Sequence, residues 1–150
     1  MLFRSLHEGD NTIALIITKP LTDLCNIFSG CNCLKDISEL SYLDVSKVKI
    51  FDFIFARCIY LTDISPLEYW DVSNGESFTC MFDGCLSLTD IDPLQTWNVS
   101  KSISFEAMFR NCMKIKSFIA LIYWNVSNCI YFTEMFSGCS SLESAWNLMH

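Results

Sequence analysis

Nine cysteines in 150 residues invite a disulfide, metal or nucleophile reading. The odd number leaves at least one unpaired. Five of them, Cys31, Cys58, Cys85, Cys112 and Cys139, stand 27 residues apart. Side chains in such a column point the same way on successive passes of the chain. A disulfide needs them to face one another, and a metal needs ligands converging from several directions. The column therefore reads as core packing by a small apolar group that can still make a weak hydrogen bond to backbone. Cys25, Cys33, Cys80 and Cys129 lie outside it, and the Cys31-x-Cys33 pair has no His nearby. Catalysis has little to stand on. His7 and His150 sit at the chain ends, no Ser or Cys has an evident general base, and there is no phosphate loop. The carboxylates are dispersed rather than gathered. The expectation is a non-enzyme with no catalytic residue, no metal site and no cofactor.

Two other columns could carry chemistry. Asn98-Val-Ser100 and Asn125-Val-Ser127 match the glycosylation sequon, but the same slot holds Asp44 and Asp71. A slot that alternates Asp and Asn favours a side-chain oxygen capping local N–H groups, helped by the following Ser. Trp70, Trp97 and Trp124 could form a ligand platform, although aromatics at repeat spacing more often pack as a ladder.

All these columns share one period. Phe28, Phe55, Phe82, Phe109 and Phe136 precede the Cys column by three residues, and Leu34, Leu61, Leu88, Ile115 and Leu142 follow it by three. Five copies run without an insertion, so the repeat is the first fact about the architecture. In the fourth copy Phe105, Met108, Phe109 and Cys112 lie at i, i+3, i+4 and i+7, the pattern of one helix face. Gly30, Gly84, Asn111 and Gly138 stand where a helix end favours a left-handed residue. The expected fold class is an α/β repeat solenoid: a leucine-rich-repeat-like right-handed coil with one short parallel strand and one short helix per 27-residue repeat, about five repeats. Helices should end near 29, 56, 83, 110 and 137. Strands are expected near 34–37, 61–64, 88–91, 115–118 and 142–144, with Pro66 and Pro93 ending two of them. Residues 1–20 would form an N-terminal cap and 21–150 the coil, in one domain.

The pattern MFxxCxxLxDIxPLxxWxVS resembles the BspA-like leucine-rich-repeat surface-protein family over roughly residues 20 to 150. The resemblance implies a right-handed solenoid used for protein contact or adhesion, and no catalytic residues. In such a coil, Asp36, Asp63, Ser65, Asp90, Asp92, Ser117 and Ile119 would point outward on the concave side, with Ser38, Ser144 and Trp146 in the same columns. Two stacked carboxylates ~4.8 Å apart repel by ~0.9 kcal/mol even in water, so a retained acidic row is either a solvated ladder or a contact surface. These residues are the candidate protein-binding face. Phe28, Cys31, Phe55, Cys58, Phe82, Cys85, Phe109, Cys112, Phe136 and Cys139 are the candidate structural core.

A net charge of −7 argues against nucleic acid and against anionic lipid, and leaves a protein partner, with a basic or a neutral surface both open. The apolar run Ile13 to Ile17 is far short of the ~20 residues that span a bilayer, so no membrane insertion is expected. The first twenty residues lack a signal-peptide pattern, which favours an intracellular location and leaves the cell surface and a virus particle open. The expected function is a non-enzymatic protein–protein interaction module. The alternatives are a cell-surface adhesin of the BspA-like type and a structural subunit of a larger assembly such as a virus particle. The last copy lacks a polar capping element, with Ala145 in a large apolar slot and Leu148 beyond it. Self-association or assembly through that end is expected.

Overall fold

In the computed structural model, residues 2–8, 11–16 and 20–143 are described. The chain enters through an antiparallel hairpin, β1 (Leu2–Glu8) and β2 (Asn11–Ile16), which pairs Leu6 with Ile13 and Glu8 with Asn11. β1 lies against the first 3-10 turn, Ser38–Tyr42. From there the 27-residue period becomes a stack of coils. Asp23, Ile50, Ser77, Ser104 and Tyr131 form a file of single-residue parallel bridges running up the stack.

The expected leucine-rich-repeat coil, with a helix and a strand in each repeat, does not form. Among the described residues the repeats contain no α-helix, and their pairing stays at one residue per coil. The segments expected as helices are tandem turns instead. The Ile27 N–H donates to the Leu24 carbonyl and the Cys31 N–H to the Phe28 carbonyl, and the third residues of these turns, Asn26 and Gly30, have positive φ. An i to i+3 bond with φ above zero at the third residue is the type II pattern. Both positions recur in every coil: Asn26, Phe53, Cys80, Ala107 and Glu134 in one column, Gly30, Arg57, Gly84, Asn111 and Gly138 in the other.

The physical reason lies between coils. A helix points its N–H groups along its own axis to the fourth carbonyl back. Here alternate N–H groups turn sideways to the next coil. Phe51, Phe53, Phe55 and Arg57 donate to the carbonyls of Ser77, Thr79, Met81 and Asp83 at 2.7–3.0 Å, and the same four bonds recur at each junction from the first coil to the fifth. The apolar pattern that mimics a helix face is satisfied by the turn ribbon, because two turns in tandem also bring positions three and four apart to one side. The segments 34–37, 61–64, 88–91 and 115–118 carry no strand ladder. Each leads into a 3-10 turn: Ser38–Tyr42, Ser65–Tyr69, Asp92–Leu94 and Ile119–Leu121. Pro66 and Pro93 therefore do not end strands. They sit in the first turn of a 3-10 segment, where their fixed φ fits and their missing N–H costs nothing. Of the fifth expected strand only 142 and 143 are described, and Ser144, Ala145, Trp146 and Leu148 lie outside the described residues.

Two files of rings fill the core. Phe28, Phe55, Phe82, Phe109 and Phe136 stack nearly parallel with centroids 5.4–5.6 Å apart. Phe51, Phe78, Phe105 and Phe132 form the second file at 4.8–5.8 Å.

Candidate functional site

The acidic row sits where the chain enters each 3-10 turn. Oδ1 of Asp36, Asp63 and Asp90 accepts from the N–H two residues on, of Ser38, Ser65 and Asp92, at 2.8 Å in each case. In the fourth coil the Ser117 Oγ accepts from the Ile119 N–H at 3.1 Å. These side chains thus satisfy a turn donor that the short 3-10 segment leaves open. The concave-strand placement is replaced by a capping role on a row of turns. Asp36, Asp63, Asp90, Asp92, Ser65 and Ile119 are all exposed, and Ser117 is half-buried. One carboxylate oxygen of each capping Asp is used locally, and its charge stays at the surface.

The same turns carry a second row that the charge-based reading passed over. Tyr42, Tyr69 and Tyr123 occupy one column and are 70%, 72% and 74% exposed. The signal was in the sequence: Tyr stands directly before Leu43, Trp70 and Trp124. The neighbour is buried and its Tyr is turned out. The acids thus stand at the entry of each 3-10 turn and the tyrosines at or just beyond its end.

The remaining columns are structural. Trp70, Trp97 and Trp124 are buried, and each indole Nε1–H donates to a carbonyl in the preceding coil, of Leu40, Leu67 and Leu94, at 2.8–2.9 Å. Asp44, Asp71, Asn98 and Asn125 accept through Oδ1 from the N–H of Ser46, Ser73, Ser100 and Ser127. The Ser46 hydroxyl and N–H also hold the Asp44 carboxyl below its ordinary range. Asp83, almost fully buried, takes a bidentate pair from Arg110 at 2.8 and 3.0 Å, and Arg110 continues to Glu134 in the next coil at 2.9 Å.

All nine cysteines are free thiols. Cys58, Cys85, Cys112 and Cys139 each donate from Sγ to a Phe carbonyl one coil back, of Phe28, Phe55, Phe82 and Phe109, at 3.0–3.2 Å. Phe28, Phe55, Phe82, Phe109, Cys58, Cys85 and Cys112 are buried, while Cys31, Phe136 and Cys139 at the stack ends are half-buried. Burial pushes the Cys58 thiol up to about 12, and those of Cys85 and Cys112 well up too. A thiolate is the reactive form, so alkylation of the native chain should modify exposed Cys25 and Cys33 and spare these three until unfolding. Rapid native labelling of all three, read by peptide mass spectrometry, would contradict the arrangement.

A family model matches residues 1–122 and again 89–149, described as DUF285, Mycoplasma protein of unknown function. The chain belongs to the DUF285 family. That places it in a BspA-related repeat family, without the leucine-rich-repeat geometry the resemblance implied. Among curated proteins and among solved structures nothing matches this DUF285 chain. Among the described residues no helix is long and apolar enough to cross a membrane, and no three His, Cys, Asp or Glu side chains gather in a way that could hold a metal ion.

Proposed function

We propose that this DUF285 chain is a non-enzymatic protein-binding module that meets its partner through the edge formed by the 3-10 turns. The observation that carries the reading is the set of three tyrosines in one repeat slot, each at least 70% exposed, with Thr96 in that slot in the third coil. Tyr is enriched at interface hot spots because it offers a large apolar face and a hydroxyl at low entropic cost. Asp36, Asp63 and Asp90 cap the entry of the same row of turns, with Asp92 two residues beyond Asp90. A partner with apolar pockets at coil spacing and a basic flank suits both rows. The acidic row would steer its approach, so binding should weaken as salt rises. A BspA-like surface protein would use the same edge to contact another cell, and cleavage of the chain by protease added to intact cells would support that finer assignment.

Two variants test the edge against the partner captured from the native source. Tyr42→Ser with Tyr69→Ser and Tyr123→Ser should lower affinity by at least about tenfold, since hot-spot truncations cost ~2 kcal/mol or more. Asp63→Ser with Asp90→Ser should mainly slow association and flatten the salt dependence. It should leave the fold intact, because Ser117 already performs the same cap in the fourth coil. Unchanged affinity in both variants, each with a native melting curve, would remove this edge from the binding site.

A further inference from the structure

Each coil passes from its Cys to the following Leu or Ile through a tight turn. The N–H groups of Leu61, Leu88 and Ile115 donate to the carbonyls of Cys58, Cys85 and Cys112 at 3.1–3.3 Å. Both ends of these turns are fully buried, so the two residues between them form an outward tip. Turn tips favour Gly, Asn, Asp or Ser. The first and fifth coils comply, with Asn32 and Ser140 leading the tip. The three inner coils put Ile59, Leu86 and Met113 there, and Tyr60 follows Ile59. Tyr60, Leu86 and Met113 are 53%, 37% and 47% exposed. Coils flank these three on both sides: the Phe28 carbonyl accepts from the Cys58 Sγ, and the Ser141 N–H donates to the Met113 carbonyl at 3.2 Å. The exposure therefore belongs to the tips and not to an end of the stack.

The charge at this corner is opposite to that of the chain. Segments 30–35, 57–62, 84–89, 111–116 and 138–143 carry four of the ten Lys and Arg residues and one of the seventeen Asp and Glu residues. Arg57 lies along the next coil, its Cγ 3.6 Å from where a Cβ on Gly84 would stand. Lys35 reaches over the Tyr60 ring, 5.6 Å from its centroid. Among the described residues Arg57, Lys114 and Lys116 pair with no carboxylate. Apolar tips bounded by polar ones and flanked by unpaired cations are the composition of a contact patch.

Spacing narrows the partner. Phe55, Phe82 and Phe109, three residues before the Cys column, stack at 5.6 Å from coil to coil, so the tips recur at a similar interval. An α-helix brings a side chain back to one face every ~5.4 Å. An extended strand does so every ~6.6 Å and falls out of step within two coils. We propose that the corner from Ile59 to Met113 is a second docking surface, and that its partner is an acidic amphipathic α-helix laid along the stack. One apolar side chain per turn meets the tips of successive coils, and carboxylates on its flanks face Arg57, Lys114 and Lys116. This surface is distinct from the tyrosine-bearing turns and takes a partner of opposite charge. An anionic membrane fits less well, because the net charge of −7 opposes approach to a broad negative surface.

The probe is a synthetic helical peptide with one Leu per turn on one face, Glu on both sides of that face and Ala elsewhere. It is titrated with the full chain and read by fluorescence anisotropy. A control peptide of the same composition sets its Leu residues at alternate positions. The first should bind and the second should not. Leu86→Ser with Met113→Ser should weaken binding by about tenfold or more. Arg57→Asn with Lys114→Ser should flatten its salt dependence. The repeat tolerates these residue types, since Ser140, Asn111 and Ser141 hold the matching slots in other coils. The triple Tyr variant should bind the peptide as the native chain does, which separates this surface from the 3-10 edge; loss of binding there would overturn the assignment to this corner. No binding of the helical peptide, or equal binding of both peptides, would overturn the helical partner. Affinity unchanged in both corner variants would overturn the site. Phosphatidylserine vesicles that bind the native chain and not the Leu86→Ser, Met113→Ser variant would give the corner to a membrane and overturn the protein partner.

Discussion

Phe82→Ala is expected to cost ~3–5 kcal/mol of folding stability, the range for a fully buried Phe truncated in a packed core. The ring is 0% exposed and stacks on Phe55 below and Phe109 above, both at 5.6 Å. Removing it opens a gap in the middle of a file whose spacing is fixed by backbone hydrogen bonds on either side, so the coils cannot close over the space. Phe136→Ala is the control. That ring has only one stacked neighbour in the file, Phe109 at 5.4 Å, and is half-buried, so its loss should cost no more than about 1 kcal/mol. Urea unfolding of both variants would show the contrast; equal losses would mean that the ring file is not what holds adjacent coils.

Stability should also fall steeply in alkali. In the unfolded chain the thiols of Cys58, Cys85 and Cys112 titrate near their ordinary value of 9.0, whereas burial holds them protonated in the folded state. Between these values the folded chain binds more protons than the unfolded one, so the free energy of unfolding falls as pH rises. Their contribution is complete below about pH 9 and is lost on the way up, for Cys58 until about pH 12. The slope is about 1.4 kcal/mol per thiol per pH unit while one state is ionised and the other is not. The decisive comparison is Cys85→Ala. Its small side chain fits the slot, and its stability curve between pH 9 and 11 should be shallower than that of the native chain by one thiol's share. Parallel curves would show that the Cys85 thiol is not held protonated by the fold.

The repeat was fully legible in the sequence, because a stack needs the same volume at the same place in every coil and so writes its period into Phe28, Phe55, Phe82, Phe109 and Phe136. The roles of the Cys, Trp and Asp/Asn columns followed from side-chain chemistry: a thiol, an indole N–H and a short carbonyl or carboxylate can each satisfy a backbone group at a crowded turn. The conformation inside the coil was not legible. Phe105, Met108, Phe109 and Cys112 have helical spacing, and nothing in the chemistry of Phe53, Cys80 or Ala107 announces a left-handed residue. Those residues take positive φ because the neighbouring coil offers a carbonyl to every second N–H, which outweighs the local steric cost of ~1–2 kcal/mol at each. The acidic columns were readable as exposed, but whether they lined a strand or capped a turn depended on that same choice. The outward tyrosines were present as a column and gained meaning only when their buried neighbours, Leu43, Trp70 and Trp124, fixed which way the turn faces. Sequence by itself determined the period, the core columns and the acidic surface, since each is a property of single residues repeated. Tertiary structure decided turn ribbon over helix, since the ribbon depends on hydrogen bonds between residues about 27 positions apart.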